Sequence, residues 1–401
     1  MKILVICQYY APEPFRISDI CEELVKRGHE VQVVTGIPNY PMGKIYEEYK
    51  GGKRRDEVLN GVNVHRCFTI GRRTGAVYRF LNYYSYMISS SMYIKKLGDE
   101  YDIVFVNQLS PVIMANAGIK YKKKYNKKLV LYCLDLWPAS LTAGGIKKES
   151  FIYKYFRKVS DKIYRQADKL LVTSKSFKTY FKEEFDINEA DIKYLPQYAE
   201  EVFSEEACRK KTDENLNLMF AGNIGIAQSV DTIIKAANET RNMKNLYWHI
   251  VGDGTELENC KELVHKLGLS NVIFHGRHSM EEMPKYYVIA DVMIVTMKAD
   301  NTLSMTLPGK VQTYMAAGKP IIGAINGEAK AIIDESHCGK CTDAEDYVGL
   351  ASLAYEFFDK TKNEYFGKNG RRYYDAAFTK RVFIDKLEDV FVMTCKMRGD
   401  I

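Results

Sequence analysis

Short apolar runs rich in β-branched residues alternate with longer segments whose apolar positions recur every three or four residues, and the alternation runs the length of the chain. The short runs predict strands at Lys2–Cys7, Val31–Thr35, Val62–Arg66, Ile103–Val106, Leu129–Cys133 and Lys169–Thr173. A second series follows at Leu216–Ala221, Tyr247–Val251, Val272–His275, Val292–Thr296 and Pro320–Gly323. Helical periodicity fills the gaps, as at Ile17–Arg27, Tyr78–Leu97 and Pro111–Tyr125, then Val230–Asn238, Glu256–Leu267, Met283–Ala290 and Gly309–Ala317. Strands alternating with helices mean βαβ units and parallel sheets. Beyond Gly323 only helical patterns are expected, ending on the stripe Phe383, Leu387, Val390 and Phe391.

The pattern restarts once. The stretch from Pro196 to Asn215 is polar and acidic and precedes a fresh strand, so the expected domains are residues 1–200 and 201–375. A C-terminal helix over 376–401 is expected to pack back toward the first domain. A chain of 401 residues, 46% hydrophobic, has material for two cores. The expected architecture is therefore α/β, with two doubly wound domains facing one another across a cleft. In such sheets ligands bind beyond the carboxyl ends of the strands. That places the informative residues in the loops after each strand.

Composition narrows the setting. No apolar run approaches the ~18–20 residues a membrane-spanning helix needs. The opening MKILVIC is too short for a signal-peptide core and reads as a first strand, so a cytoplasmic location is expected. Of nine cysteines, Cys7, Cys133 and Cys260 sit in or beside apolar segments. The lone CxxC, Cys338 to Cys341, reads as a reduced turn.

Charge is unevenly placed. Residues 1–200 carry 33 Lys and Arg against 22 Asp and Glu, a net +11, while residues 201–401 carry 25 against 29, a net −4. The basic half points to an anionic partner. Arg72–Lys96 is free of acids and rich in aromatics, and Lys120–Lys128 is a compact basic cluster. Basic-aromatic segments suit an anionic lipid surface, so the protein is expected to sit peripherally on the inner face of the plasma membrane through Arg72–Lys96. Nucleic acid is not the expected partner, because no RNP, KH or zinc-finger pattern is present.

Glycines punctuate the strand ends of the second half: Gly222-Asn223-Ile224-Gly225, Gly252-Asp253-Gly254 and Gly276-Arg277. Glycine there allows backbone amides to approach a phosphate. The GxGxxG fingerprint is missing after the first strand, and no GxxxxGK[ST] occurs. The most specific stretch is Leu307-Pro308-Gly309-Lys310 leading to Gly318-Lys319-Pro320. Pro308 suits a first helical turn. Lys310 would then sit beside the positive end of a helix, a repulsive arrangement unless an anion such as a diphosphate is bound.

These residues resemble the retaining glycosyltransferases of family 4, whose GT-B fold comprises two facing Rossmann-like domains. The features that carry the resemblance are Arg27-Gly-His-Glu-Val31, Ala221-Gly-Asn-Ile-Gly225, Val251-Gly-Asp-Gly254 and Tyr314-Met-Ala-Ala-Gly-Lys-Pro320. A narrower similarity is to the branch that builds O-antigen, colanic-acid-like and capsular polysaccharides, including fucosamine transferases. It rests on Pro12-Glu-Pro-Phe-Arg16, Pro38-Asn-Tyr-Pro41, Asp135-Leu-Trp-Pro138, Leu195-Pro-Gln-Tyr-Ala-Glu200 and Gly222-Asn-Ile-Gly-Ile-Ala-Gln228. The chain departs from the family at its usual Glu-x7-Glu, which falls on Met305 and Thr313. The basic residues expected after the first strand of the donor domain are Asn223 and Gln228, and the Gly-Gly after the chain's first strand is missing.

The resemblance implies sugar transfer, with an N-acetylamino sugar among the candidates, from a nucleoside-diphosphate donor, UDP-linked, to a lipid-linked or saccharide acceptor. The implied catalytic set is Lys310, Asp135 and Arg16. The implied donor set is Gly222, Asn223, Gly225, Gln228, Gly252, Gly276, Arg277, Met305, Thr306, Leu307, Pro308 and Thr313. Pro14, Asn39, Tyr40 and Trp137 are the expected acceptor contacts. No Asp-x-Asp and no HExxH occur, so neither a metal nor another cofactor is expected. The rival functions are a sugar-nucleotide 2-epimerase, for which the strand-end loops are poor in acid/base side chains, and a non-catalytic sugar-nucleotide-binding protein.

Overall fold

In a computed structural model, which describes residues 1–143, 145–209 and 214–396, the chain forms two α/β units. The first comprises Met1–Thr173, Phe177–Leu195 and the chain from Ile384 onward. The second comprises Ser174–Ser176 and Pro196–Phe383. The division thus falls at Leu195/Pro196, a few residues before the expected boundary, and the second unit extends past residue 375. Residues 210–213 of the expected seam and 397–401 of the expected C-terminal helix lie outside the described residues.

The first unit holds one eight-stranded sheet of β1 (Lys2–Ile6), β2 (Glu30–Gly36), β3 (Asp56–Leu59), β4 (Val62–Cys67), β5 (Ile103–Gln108), β6 (Lys128–Cys133), β7 (Lys169–Val172) and β8 (Ile192–Tyr194). Their order is β3-β4-β2-β1-β5-β6-β7-β8. Every pairing is parallel except the β3–β4 hairpin at one edge. The central strands read as unbroken apolar runs because helices cover both faces. Ile3, Leu4, Val5, Ile6, Val104 and Phe105 are fully buried.

The second unit holds β9 (Leu216–Ala221), β10 (Leu246–Val251), β11 (Val272–Gly276), β12 (Val292–Thr296), β13 (Ile321–Ala324) and β14 (Gly339–Thr342). Their order is β11-β10-β9-β12-β13-β14, all parallel. The two-residue side-chain period divides its core. Leu216, Leu218 and Phe220 face the Val230–Glu239 helix side, whereas Met219 and Ala221 face the Gly309–Ala316 helix side. Both units place their crossover turns at the carboxyl ends of the strands, which is where side chains can vary without loss of the sheet.

Two expectations need correction. The chain does not turn wholly helical after Gly323, because β14 pairs with β13 at the sheet edge. Cys338 and Cys341 therefore flank and enter a strand instead of forming a turn; both are free thiols. The C-terminal helix, Lys380–Lys396, begins a few residues after the expected position 376 and, from Ile384, belongs to the first unit as expected. Arg27 donates to Asp385 at 2.6 Å and to Glu388 at 2.7 Å, and His29 pairs with Glu388 at 2.7 Å. Two residues of the Arg27-Gly-His29 segment thus hold the end of the chain on the first unit.

Candidate functional site

In the second unit the strand-end glycines pack loop upon loop. Gly222 donates its amide to Val251 at 2.9 Å, Ile224 to Asp253 at 2.8 Å and Gly252 to Gly276 at 2.8 Å. A Cβ on Gly252 would lie 1.8 Å from the Gly222 carbonyl oxygen, and one on Gly254 would lie 2.2 Å from that of Ile224. Gly252 also has φ +144°, strained for any other residue. The amides of Gly222 and Gly252, two residues of the expected donor set, therefore hold neighbouring loops together. Gly225 differs. An added Cβ there would meet only the ends of Asn223 and Gln228, whose side chains bond each other at 3.0 Å.

Lys310 stands out against this framework. The Gly309–Ala316 helix is capped by Pro308, which lies just outside the first turn and not within it as expected. Lys310 extends back over β9, its Nζ 3.7 Å from the centre of the Phe220 ring. The Nζ is buried without a hydrogen-bond partner among the described residues. Burial alone pushes its pKa down to about 7. A Cβ on Gly222 would lie 3.2 Å from this nitrogen, so the glycine makes room for it. Tyr314, one turn further along the helix, is buried between the ends of β9 and β12 and accepts the Ala221 amide at 3.2 Å. It seats the helix that carries Lys310.

The other expected donor residues divide by exposure. Arg277 is exposed beside half-buried Gly276. Thr306 and Leu307 are half-buried, with the Thr306 hydroxyl donating to Leu303 at 2.7 Å. Met305 presents its carbonyl to the Ser174 hydroxyl. Thr313 is buried and donates to Gly309 at 3.1 Å within its own helix. The two positions where the family usually has carboxylates are thus uncharged, and the Thr313 hydroxyl is bonded within its own helix.

The first unit gathers a second set of loops. Glu13 is buried, and its Oε1 accepts the amides of Asn39 at 2.8 Å and Tyr40 at 2.7 Å. Asn39 is buried as well: its Nδ2 donates to Ile37, and its Oδ1 accepts the amide of Arg72. Asn82 completes the network, accepting from Gln8 at 2.8 Å and donating to Ile70 at 2.6 Å. Over it, Tyr9, Phe15 and Tyr40 form an aromatic cluster with centroids 4.9–5.9 Å apart. Pro14 is exposed, and Arg16 is half-buried at the start of the Ile17–Lys26 helix.

Asp135 follows β6 and accepts the hydroxyls of Ser110 and Ser140, while Trp137 donates to Ser110 at 2.8 Å. Trp137 is buried edge-on against Phe156. Asn39 and Trp137 are therefore not open contacts for an acceptor, as was expected; burial and filled hydrogen bonds make them shapers of the loops.

Sequence reasoning missed Glu13, Tyr314 and Glu328. Glu328 is buried and accepts the amides of Lys175 and Ser176 at 2.8 and 3.0 Å, tying Ser174–Ser176 to the second unit. A Glu opening a helix directly after Gly327 was the available signal. Among the described residues no group of three or more His, Cys, Asp or Glu is placed to hold a metal ion.

The fold is that of the GT-B glycosyltransferases. The chain superposes on sucrose-phosphate synthase from Thermosynechococcus elongatus with a TM-score of 0.75 at 15% identity, over 98% of each chain. It superposes on Anabaena Alr3699/HepE, solved in complex with UDP and glucose, with a TM-score of 0.70 at 15% identity, over 98% of this chain and 99% of that one. Residues 16–197 match the model of Glycosyltransferase Family 4, and residues 204–373 match that of Glycosyl transferases group 1. The chain belongs to the glycosyltransferases built from these two domains. A probable glycosyltransferase of Pseudomonas aeruginosa, WbjE, is 28% identical over 57% of this chain, and the match spans 59% of that protein's length. A putative colanic acid biosynthesis glycosyl transferase of Escherichia coli, WcaI, is 23% identical over 79% of this chain and 82% of its own.

Proposed function

We propose that the protein is a retaining glycosyltransferase of cell-surface polysaccharide synthesis, moving a sugar of the N-acetylamino class from a UDP-linked donor to a lipid-linked or saccharide acceptor. The observation that carries the donor half is Lys310. A buried ammonium without a partner is unfavourable, and a diphosphate would supply the missing charge. The amides of Gly309 and Lys310 at the start of its helix have no intrahelical acceptors and add to the pull on an anion. Asn223, Gly225, Gln228 and Arg277 line the same strand ends. The Anabaena neighbour binds UDP, and the relatives named above include one of colanic acid biosynthesis.

In this reading the bond between the sugar C1 and the diphosphate oxygen breaks while a bond from C1 to the acceptor oxygen forms on the same face. The acceptor's proton passes to the departing diphosphate. Lys310 stabilises the charge that accumulates on that leaving group, the step at which preorganised charge is most effective. Asp135 and Arg16 orient the acceptor from the first unit.

The acceptor's setting is the inner membrane surface. No helix among the described residues is long and apolar enough to cross a membrane. The Ala76–Tyr93 helix is inverted, however: Asn82, Tyr86, Ser90 and Ser91 face the core, while Val77, Leu81, Ile88 and Met92 are exposed. Phe80 is exposed beside them, and Phe151, Ile152 and Tyr155 of the Phe151–Tyr164 helix are exposed near Tyr84. No acid occurs from Val58 to Gly98. Apolar rings and aliphatic chains rimmed by Arg72, Arg73, Arg79, Lys95 and Lys96 match an anionic bilayer surface.

Calorimetry of UDP against the native protein and Lys310→Met tests the donor half. Binding weakened tenfold or more in the variant is expected; equal affinity removes Lys310 from the site.

A further inference from the structure

Among the described residues, Glu13 is the one buried carboxylate that joins two of the first unit's loops and that the mechanism above leaves unused. It lies in the turn after β1, 2% exposed. Its Oε1 accepts two successive amides, Asn39 and Tyr40, from the loop after β2, and its Oε2 accepts the Tyr10 amide at 3.4 Å. An aliphatic side chain there would leave three buried or half-buried N–H groups without their acceptor. Buried donors left unsatisfied in this way are costly. A single carboxylate therefore sets the spacing between the loop that bears Pro14, Phe15 and Arg16 and the loop that bears Tyr40. The Phe15–Tyr40 ring contact, with centroids 5.1 Å apart, is the visible result.

We propose that Glu13 is a positioning residue for sugar transfer, a carboxylate clamp that holds the β1 and β2 loops in register for the acceptor. The inference rests on the reading of these loops as the acceptor side. It goes beyond that reading in assigning their alignment to one ionisable group that touches neither substrate.

The clamp has a pH dependence of definite sign. Burial pushes the Glu13 carboxyl up to about 7, against the three amides and Arg66, which pull it down. The charged and titratable groups facing it are Arg66 on β4, the Cys7 thiol at the end of β1, the Tyr9 hydroxyl, and Tyr46 beyond the β2 loop. When the carboxyl is protonated, one oxygen becomes a hydroxyl, a much weaker acceptor for the Tyr10 amide, while the carbonyl oxygen keeps Asn39 and Tyr40. The clamp is complete only above about pH 7. Glu13→Gln reproduces the neutral state in nearly the same volume, whereas Glu13→Ala removes the clamp.

Hydrogen exchange of the Tyr10, Asn39 and Tyr40 amides between pH 5.5 and 8.5, corrected for intrinsic rates, tests this directly. In the native protein Tyr10 protection should rise through about pH 7. In Glu13→Gln the Tyr10 rise should be absent while Asn39 and Tyr40 stay protected, and in Glu13→Ala all three should exchange at least tenfold faster. With a polyprenyl-diphosphate sugar as acceptor, the native kcat/KM for acceptor should climb through the same window. Glu13→Gln should lack that limb and show a raised acceptor KM, with UDP affinity unchanged in both variants. Native-like Tyr10 exchange in Glu13→Gln, or a native pH limb in that variant, overturns the proposal. Failure of the acceptor-side reading shows itself differently, as altered exchange in the variants with no UDP release by the native protein under any acceptor.

Discussion

Lys310 and Asp135 show how a residue's surroundings decide between chemistry and support. Lys310 has a folded pKa below its unfolded value, so between about pH 7 and 10.5 the unfolded chain binds more protons. Stability of the unliganded protein should therefore rise with pH through that window. If UDP pairs with the ammonium as proposed, it should bind more weakly as pH rises from 7 to 9. Lys310→Met should remove both trends and melt at or above the native temperature at pH 7, because an unpartnered buried amine is gone. A lower melting temperature with unchanged UDP binding would mean that the lysine is structural. Asp135 is the opposite case. It accepts two serine hydroxyls, and in Asp135→Asn one carboxylate oxygen becomes an amide that cannot. We expect melting to fall by about 2–4 °C for each kcal/mol lost, measured by calorimetry, with kcat reduced as well. Normal kcat would leave Asp135 as an acceptor for the two serine hydroxyls that shapes the loop. Lys310 was legible in the sequence because Pro-Gly-Lys opens a helix and a cation there needs an explanation. Glu13 and Tyr314 were not, since their importance comes from burial against loops far away in sequence.

At the scale of elements, the long buried strands were legible almost to the residue, as at Leu216–Ala221 and Val292–Thr296, because a strand covered on both faces must be apolar throughout. The strands that sequence reading missed, β3, β8 and β14, are three or four residues long at sheet edges, where one side of the ladder faces no neighbour and polar residues are tolerated. The Ala76–Tyr93 helix was legible as a helix, but which face was covered was not. Its polar face turned inward because Asn82 and Tyr86 find partners in the loops and strands beneath, while the Ser90 hydroxyl bonds a carbonyl of its own helix. That inversion makes the exposed stripe testable. Leu81→Glu with Ile88→Glu should release the protein from anionic vesicles at low and high salt alike, since it removes apolar contact. Arg72, Arg73 and Arg79 changed to Glu should release it chiefly at low salt, where the Debye length is long. Sedimentation equal to the native protein's in both variants would assign the stripe to another partner. The C-terminal helix offers a third test. Glu388→Gln weakens its hold on Arg27 and His29, so limited proteolysis should cut near Lys380–Lys396 sooner than in the native chain, and an unchanged cleavage rate would make the ion pairs incidental.

For the molecule as a whole, two parallel-sheet units of different charge divide the proposed labour. The basic half, +11 over residues 1–200, carries the inverted helix and the Glu13 loop cluster; the half with net charge −4 carries the buried lysine beneath its strand-end turns. That the more acidic half should bind the diphosphate is consistent once burial is considered, because one desolvated cation acts over a few ångströms more strongly than many exposed ones. The proposed function is transfer in which Lys310 would stabilise a diphosphate that leaves only when an acceptor takes the sugar. The most direct measurement is UDP release from a panel of UDP-sugars with and without a polyprenyl-diphosphate sugar, in the native protein and in Lys310→Met. Release that requires the acceptor and falls at least tenfold in Lys310→Met is the result expected; release that is independent of acceptor, or undiminished in Lys310→Met, would contradict it.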